Sequence, residues 1–401
     1  MSRTPKDAPA NGFFALVAAG EPFRLLFPLG TVIGIFGVAL WPLFIWKVIP
    51  VYPATMHSRI MIEGFLTSFV AGFLGTSLPR LIGSPKLSLV EAGGFAAALS
   101  GVAWLHWTGR TLSGDVLFFC TIATLVFLMS VRAIFRRDTP PPAFVLVAMG
   151  MVCALLGSAS QVVASVAPSV LPDAVVPLGR LLLNQGYLLL PIMGIGAFLL
   201  PRFFGLPSRQ SFDESMSLPE GWVRGALFAL SCGLGVVAGF VLEAAGHPSA
   251  GCGLRAAALV VYFFHEVPLH RAGLGCGSLA LGLRISLVAI PTGYILMSVQ
   301  PWHLLAFVHV VFITGFSLLT FIVASRVVLG HSGQNSKFRA TLPPVLALCA
   351  LLTLAMLSRV SADWMPAGQM SHYAYAAIAW IAGVLLWGLW IFPALKTAGE
   401  E

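Results

Sequence analysis

The sequence predicts an all-α integral membrane protein of twelve transmembrane helices, and three observations carry that reading. Hydrophobic residues make up 58% of the 401 and charged residues only 9%, with a mean hydropathy of +0.91, far outside the range of water-soluble chains. Apolar stretches of about 20 residues, enough to cross a hydrocarbon core of about 30 Å, recur along the whole chain. The two-residue alternation of a membrane barrel is absent, and lipid offers no partner to an unpaired N–H or C=O, so each stretch must close its hydrogen bonds within itself as a helix.

Taken in order, the spans are 24–47, 57–79, 88–108, 113–134, 142–166, 175–201, 222–243, 252–265, 273–298, 302–328, 341–359 and 370–394. The eighth is the shortest. Residues 1–22 form a short polar N-terminal segment with no small-residue cleavage site, so the first helix is expected to be retained. The longest polar connection, "GLPSRQSFDESMSLPEGW" at 205–222, is too short to fold alone. Residues 1–401 therefore read as a single polytopic membrane domain.

Orientation follows from the basic residues, which accumulate in cytoplasmic loops. The N-terminus, the loops after the even-numbered helices and the C-terminus together hold sixteen of the twenty-three Lys and Arg. Both termini are thus expected in the cytoplasm, with Lys47, Arg59, Arg110, Arg255 and Arg359 on the opposite side. The net charge of +8 is explained by this bias and the anionic inner leaflet, so the expected partner is the lipid bilayer and not nucleic acid. The six cysteines occur singly, with no C-x-x-C pair to suggest a cluster or a disulfide framework.

A repeat is visible at the cytoplasmic ends of the second, sixth and tenth spans, which read "LPRLIG" (78–83), "LPRFFG" (200–205) and "SRVVLG" (325–330). Four-helix spacing suggests three four-helix units about a pseudo-threefold axis, with these helices innermost. Aligned on Arg80, Arg202 and Arg326, their polar residues fall in the outer halves: His57 matches His303, and Glu63 matches Gln185 and His309. Arg180, Asn184 and Tyr187 add to the sixth helix. Polar groups at membrane depth face the bundle interior and mark sites.

At about 100° per residue, Met61 shares the face of His57, whereas Arg59 and Glu63 form an i, i+4 pair on another. His303 and His309 diverge by about 120° and would not grip one atom together. Histidines from two facing helices can fill the axial positions of a haem iron, whose porphyrin suits an apolar interhelical space. The plainer alternative is that each is a hydrogen-bonded core or interfacial residue.

The stretch "MHSRIMIEGFLTSFVAGFLGTSLPRLIG" (56–83) resembles the helix of NnrS family proteins that carries H-x-H-E-M-L-F-G-F followed by A-G-F-L-x-T-x-x-P. "HVVFITGFSLLTFIVASRVVLGHSG" (309–333) resembles the family's H-A-L-T-x-G-x-x-G running into R-V-x-L-G-H-T-G. "IGAFLLPRFFG" (195–205) is similar to its G-x-R-V-I-P-F-F region. The resemblance implies a bacterial inner-membrane protein that binds haem b and copper and is linked to the response to nitric oxide, including denitrification and nitrosative stress. It implies His57, His309 and His331 as the matching histidines. His57 and His309 are the expected haem ligands, with His303 and His331 as alternatives for the iron.

Arg59 stands at the second His of H-x-H, Ile60 at the Glu, and Arg284 replaces a His in "LRISLVAIP". A guanidinium is no neutral metal donor, so these departures weigh against copper, and Arg59 is expected to meet a haem propionate or Glu63. A more distant similarity links the twelve-helix plan and "HSRIMIEGF" to the catalytic subunit of haem-copper oxidases and nitric oxide reductases, without their helix-6 copper His. Oxidoreductase activity on nitric oxide is open on this reading, as is the electron donor. Two alternatives of other classes stand beside it: a secondary transporter using Arg59, Glu63, Arg180 and Arg284, or a haem- or metal-handling assembly factor. Among the other histidines, His106 with Trp104 and Trp107 reads as an aromatic belt, and His265, Glu266 and His270 as an interfacial turn broken by Pro268.

Overall fold

A computed structural model describes residues 12–399 apart from 214 and 274. Twelve long helices follow one another: α1 (Phe23–Ile45), α2 (Ala54–Leu81), α3 (Leu89–Trp107), α4 (Thr111–Ile134), α5 (Phe144–Val166), α6 (Val175–Phe204), α7 (Trp222–Ala244), α8 (Pro248–Glu266), α9 (Gly277–Val299), α10 (Pro301–His331), α11 (Pro343–Trp364) and α12 (Pro366–Lys396). No strand occurs among the described residues. Eleven of the helices are long and apolar enough to cross a membrane, and α8 is the exception. Arg255, His265 and Glu266 and a run of small residues dilute its 19 positions. It lies against α7 and α9 all the same. The protein is a multi-pass membrane protein.

Helices four apart in sequence do occupy the centre. Of the eleven, α2, α6 and α10 are the most enclosed, at 78%, 72% and 67% buried. The other helices surround them as a closed series: α4 packs on α5, α8 on α9, and α12 returns to α1. Close approach between α5 and α6 depends on glycine, since a Cβ at Gly157 would sit 2.7 Å from the carbonyl oxygen of Gly179. Toward the Arg80 end, Phe69 and Phe73 of α2, Ile192 and Ile195 of α6, and Phe316 and Val323 of α10 face one apolar space.

All three central helices widen into π-helical turns in the half away from Arg80, Arg202 and Arg326: Ile60–Leu66, Leu182–Gly186 and Val310–Ser317. Such turns shift the register of the helix and are frequent at functional sites. A wide turn displaces carbonyls from their usual partners, and hydroxyls take them up. Thr67 Oγ1 donates to the Ile62 carbonyl, five residues back, at 2.8 Å, and Thr314 Oγ1 to that of Val310 at 2.8 Å.

The other end is stapled by Arg24, which is 1% exposed. Its Nε donates to Glu21 at 2.5 Å, Nη1 to the carbonyls of Leu395 (2.5 Å) and Thr397 (2.9 Å), and Nη2 to that of His331 (3.2 Å). Glu21 also accepts from Arg80 at 2.9 Å and His331 Nδ1 at 2.6 Å. Burial alone would raise the Glu21 carboxyl, but the hydrogen bond from His331 and the guanidinium of Arg24 outweigh it and hold it down at about 2, from an ordinary 4.5. A carboxyl depressed on folding stabilises the protein fully above its unfolded value and loses that contribution as pH falls through the folded one. The thermal-stability advantage of the wild type over Glu21→Gln is therefore expected to be complete above pH 4.5 and to vanish toward pH 2. An advantage independent of pH across that window would refute the assignment.

Candidate functional site

Between the wide turns of α2 and α10 the bundle opens into a cavity of about 340 Å³, within the range of small-molecule sites, which run from about 300 to 1,000 Å³. Its apolar wall includes Val38 and Trp41 of α1, Met61 and Ile62 of α2, Phe312 and Ile313 of α10, and Trp380 of α12. His57 and His309 both line it. Met61 shares the cavity with His57, as the helical reading of that face anticipated.

Each imidazole is held the same way. His57 Nδ1 lies 2.9 Å from the carbonyl of Gly37, and His309 Nδ1 lies 2.6 Å from that of Leu305. A carbonyl only accepts, so each Nδ1 carries a proton, and in the neutral ring each Nε2 keeps its lone pair. Neither Nε2 has a hydrogen-bond partner among the described residues. This backbone anchoring of the far nitrogen is the arrangement that orients histidines ligating metals. It also explains the side-chain placement locally: Gly37 brings its backbone close to α2, and Leu305 lies one turn before His309.

Three further polar groups border the cavity: Arg180, Asn184 and Gln185 of α6. Arg359 of α11 joins them, lying 4.3 Å over the ring of Tyr373, with Nη1 3.7 Å from Asp363 and without a hydrogen bond. Arg180 has no ion-pair partner among the described residues. Gln185 is fixed through its oxygen, which accepts from Tyr294 at 2.8 Å and Arg255 at 3.4 Å. Arg255, fully buried, is itself paired with Glu243 and sandwiched by Phe240 and Tyr294.

The remaining sequence candidates lie elsewhere. Arg59 is turned away from the cavity and donates to Glu63 at 2.8 Å, Asp115 at 3.1 Å and Gln161 at 3.1 Å. His106 is 3% exposed and lies 2.9 Å from Glu63, which corrects its reading as a belt residue. His303 sits in the first turn of α10, 3.3 Å from Asp363 and against Trp364. His331 is at the opposite end with Glu21 and Arg80. Arg284 donates to the carbonyls of Ala272 and Gly273 and lies over Phe204, at the Arg202 end. Sequence reasoning missed Asp115, Gln161 and Arg359. Asp115 had a usable signal, because a carboxylate inside an apolar span demands a cation.

The family model described as NnrS protein matches residues 18–398, nearly the whole chain. The chain belongs to the NnrS family. No curated protein matches it. Of the three histidines that match the family's motifs, His57 and His309 share a cavity, whereas His331 is tied to the Glu21 staple.

The Arg59 network also sets an energetic contrast. Arg59→Gln leaves two buried carboxylates without their cation, a change expected to destabilise by roughly 3–5 kcal/mol. Arg180→Ala removes an exposed side chain and is expected to leave stability within about 0.5 kcal/mol. Thermal unfolding in detergent compares the two, and equal effects would show that Arg59 does not anchor the cluster.

Proposed function

We propose that this NnrS protein holds a haem b between α2 and α10, in the bacterial inner membrane with both termini cytoplasmic, and serves the response to nitric oxide. One observation carries the reading: His57 and His309 line a single cavity, each with Nδ1 donating to a backbone carbonyl and Nε2 unpartnered. The donor set fits the group. Two neutral imidazoles suit its iron, the apolar wall suits its ring, and Arg180 and Arg359, whose Nη1 makes no hydrogen bond among the described residues, suit its two carboxylates.

When bound, haem would supply an iron centre for a diatomic ligand or for one-electron transfer. The chain's own residues would do the rest. Gly37 and Leu305 fix the imidazole planes and raise the basicity of Nε2. Trp41, Phe312 and Trp380 exclude water. Gln185, its oxygen engaged by Tyr294 and Arg255, presents its amide hydrogens at the cavity edge as a donor.

Copper would find two imidazoles and the Met61 thioether at this cavity, with no thiol or carboxylate among the lining residues. The transporter alternative is less supported, because Arg59 and Glu63 are satisfied within the bundle and Arg284 is bound to carbonyls at the other end.

Protein purified after haem-sufficient expression is expected to show a Soret band and bound iron. His57→Ala and His309→Ala are each expected to lose the low-spin spectrum of a bis-imidazole iron. Arg359→Ala, which removes one charge-assisted contact of about 1.5–3 kcal/mol, is expected to weaken haem retention by about ten- to a hundredfold. A colourless, iron-free protein would sink the proposal.

A further inference from the structure

A second polar centre lies outside the cavity, and its key atoms come from three helices. Glu63 of α2, His106 of α3 and Asp115 of α4 each offer a ligand atom, and these atoms lie within 4.8 Å of one another. His106 Nε2 is 2.9 Å from Glu63 Oε2 and 3.9 Å from Asp115 Oδ1. Four-coordinate sites with bonds of about 2.0–2.2 Å place their ligand atoms about 3.3–3.6 Å apart, between these two separations. All three residues are buried, at 1%, 3% and 1% exposure.

Clustering alone decides nothing, since acidic residues often gather around an arginine. What points to a ligand is the set of atoms that Arg59 leaves unused. Its guanidinium engages Glu63 Oε1, Asp115 Oδ2 and Gln161 Oε1. Among the described residues Asp115 Oδ1 is then buried without any hydrogen-bond partner, and so is Gln161 Nε2. An orphaned carboxylate oxygen in the bundle is costly unless something binds it. Flipping the Gln161 amide would not help, because it would turn an N–H toward the guanidinium. Charge gives the same answer: two carboxylates face one guanidinium, so with a neutral imidazole the cluster lacks one positive charge.

We propose that Glu63, His106 and Asp115 bind a divalent transition cation of the zinc type, a site separate from the His57 cavity. Imidazole nitrogen and carboxylate oxygen are the donors such an ion prefers. The ion takes the Nε2 lone pair of His106, whose ring proton then resides on Nδ1, and satisfies Asp115 Oδ1. Gln161 Nε2 is left as a donor for a water completing the coordination. Arg59 moderates the affinity by its own charge. None of these five residues lines the cavity, so the inference does not rest on the haem reading.

The test uses the full-length, tag-free protein, stripped with chelator and titrated with Zn²⁺ alone by calorimetry with metal analysis. Wild type is expected to bind one equivalent that His106→Gln and Asp115→Asn lose and His57→Ala retains. Arg59→Gln, relieved of the neighbouring charge, is expected to bind zinc at least about tenfold more tightly. Should that variant fold poorly, zinc is expected to raise the melting temperature of the wild type and not that of His106→Gln. The proposal is overturned if wild type takes up no equivalent, or if the equivalent it takes up survives in His106→Gln.

Discussion

Lipid cannot solvate a charge, so an ionisable group inside this bundle is costly unless another group answers it. Arg59 is the clearest case. Its guanidinium reaches Glu63 on its own helix, Asp115 on α4 and Gln161 on α5, and so ties α2 to α4 and α5. It also decides what His57 can be. With the charges gathered on the far side of α2, the cavity side is left to an uncharged imidazole, Met61 and apolar neighbours. The same logic runs on the other side of the cavity, where Arg255 is matched to Glu243 and reaches the cavity only through the Gln185 amide.

The wide turns convert this electrostatic sorting into a cavity. A regular α-helix through residues 57–66 or 304–317 would repeat every 3.6 residues and keep one face toward the axis. Inserting π turns in α2, α6 and α10 lets each central helix change the face it offers between its two halves. One half turns Phe69, Ile192 and Phe316 toward one apolar space. The other turns His57, Asn184 and His309 to a common space. Hydroxyls such as those of Thr67 and Thr314 make the change tolerable in lipid by occupying carbonyls that the wider turn releases.

Much of this was legible in the chain. The repeat "LPRLIG", "LPRFFG" and "SRVVLG" marks the three helices that prove most enclosed, and the i, i+4 spacing of Arg59 and Glu63 gives their contact. The sharing of one cavity by His57 and His309 follows the helix pair picked from the sequence. What was not legible depends on distances between helices. His106 beside two tryptophans looks interfacial until α3 is seen to press it against Glu63, and Asp115 looks like an isolated acid until α4 is placed. Arg359, four residues before Asp363, looked like a loop charge because its burial is created by α12 and Tyr373. The span count also shifted, since 252–265 forms a helix whose apolar content falls below that of its neighbours. Periodicity reports which residues share a face, but not which neighbouring helix that face will meet.

The return of α12 to α1, stapled by Arg24, has a consequence for how the chain is made. Arg24 and Glu21 are synthesised before α2, yet the carbonyls of Leu395 and Thr397 that complete the shell of Arg24 emerge only after α12. During insertion into the membrane this flank of α1 must wait, with a charged pair at its margin, while the helices α2 to α11 are made. Closing such a ring late makes the last contact a checkpoint: a chain truncated before residue 395 lacks the acceptors that bury Arg24, and presents the quality-control machinery of the cell with an exposed cation where the intact protein has none.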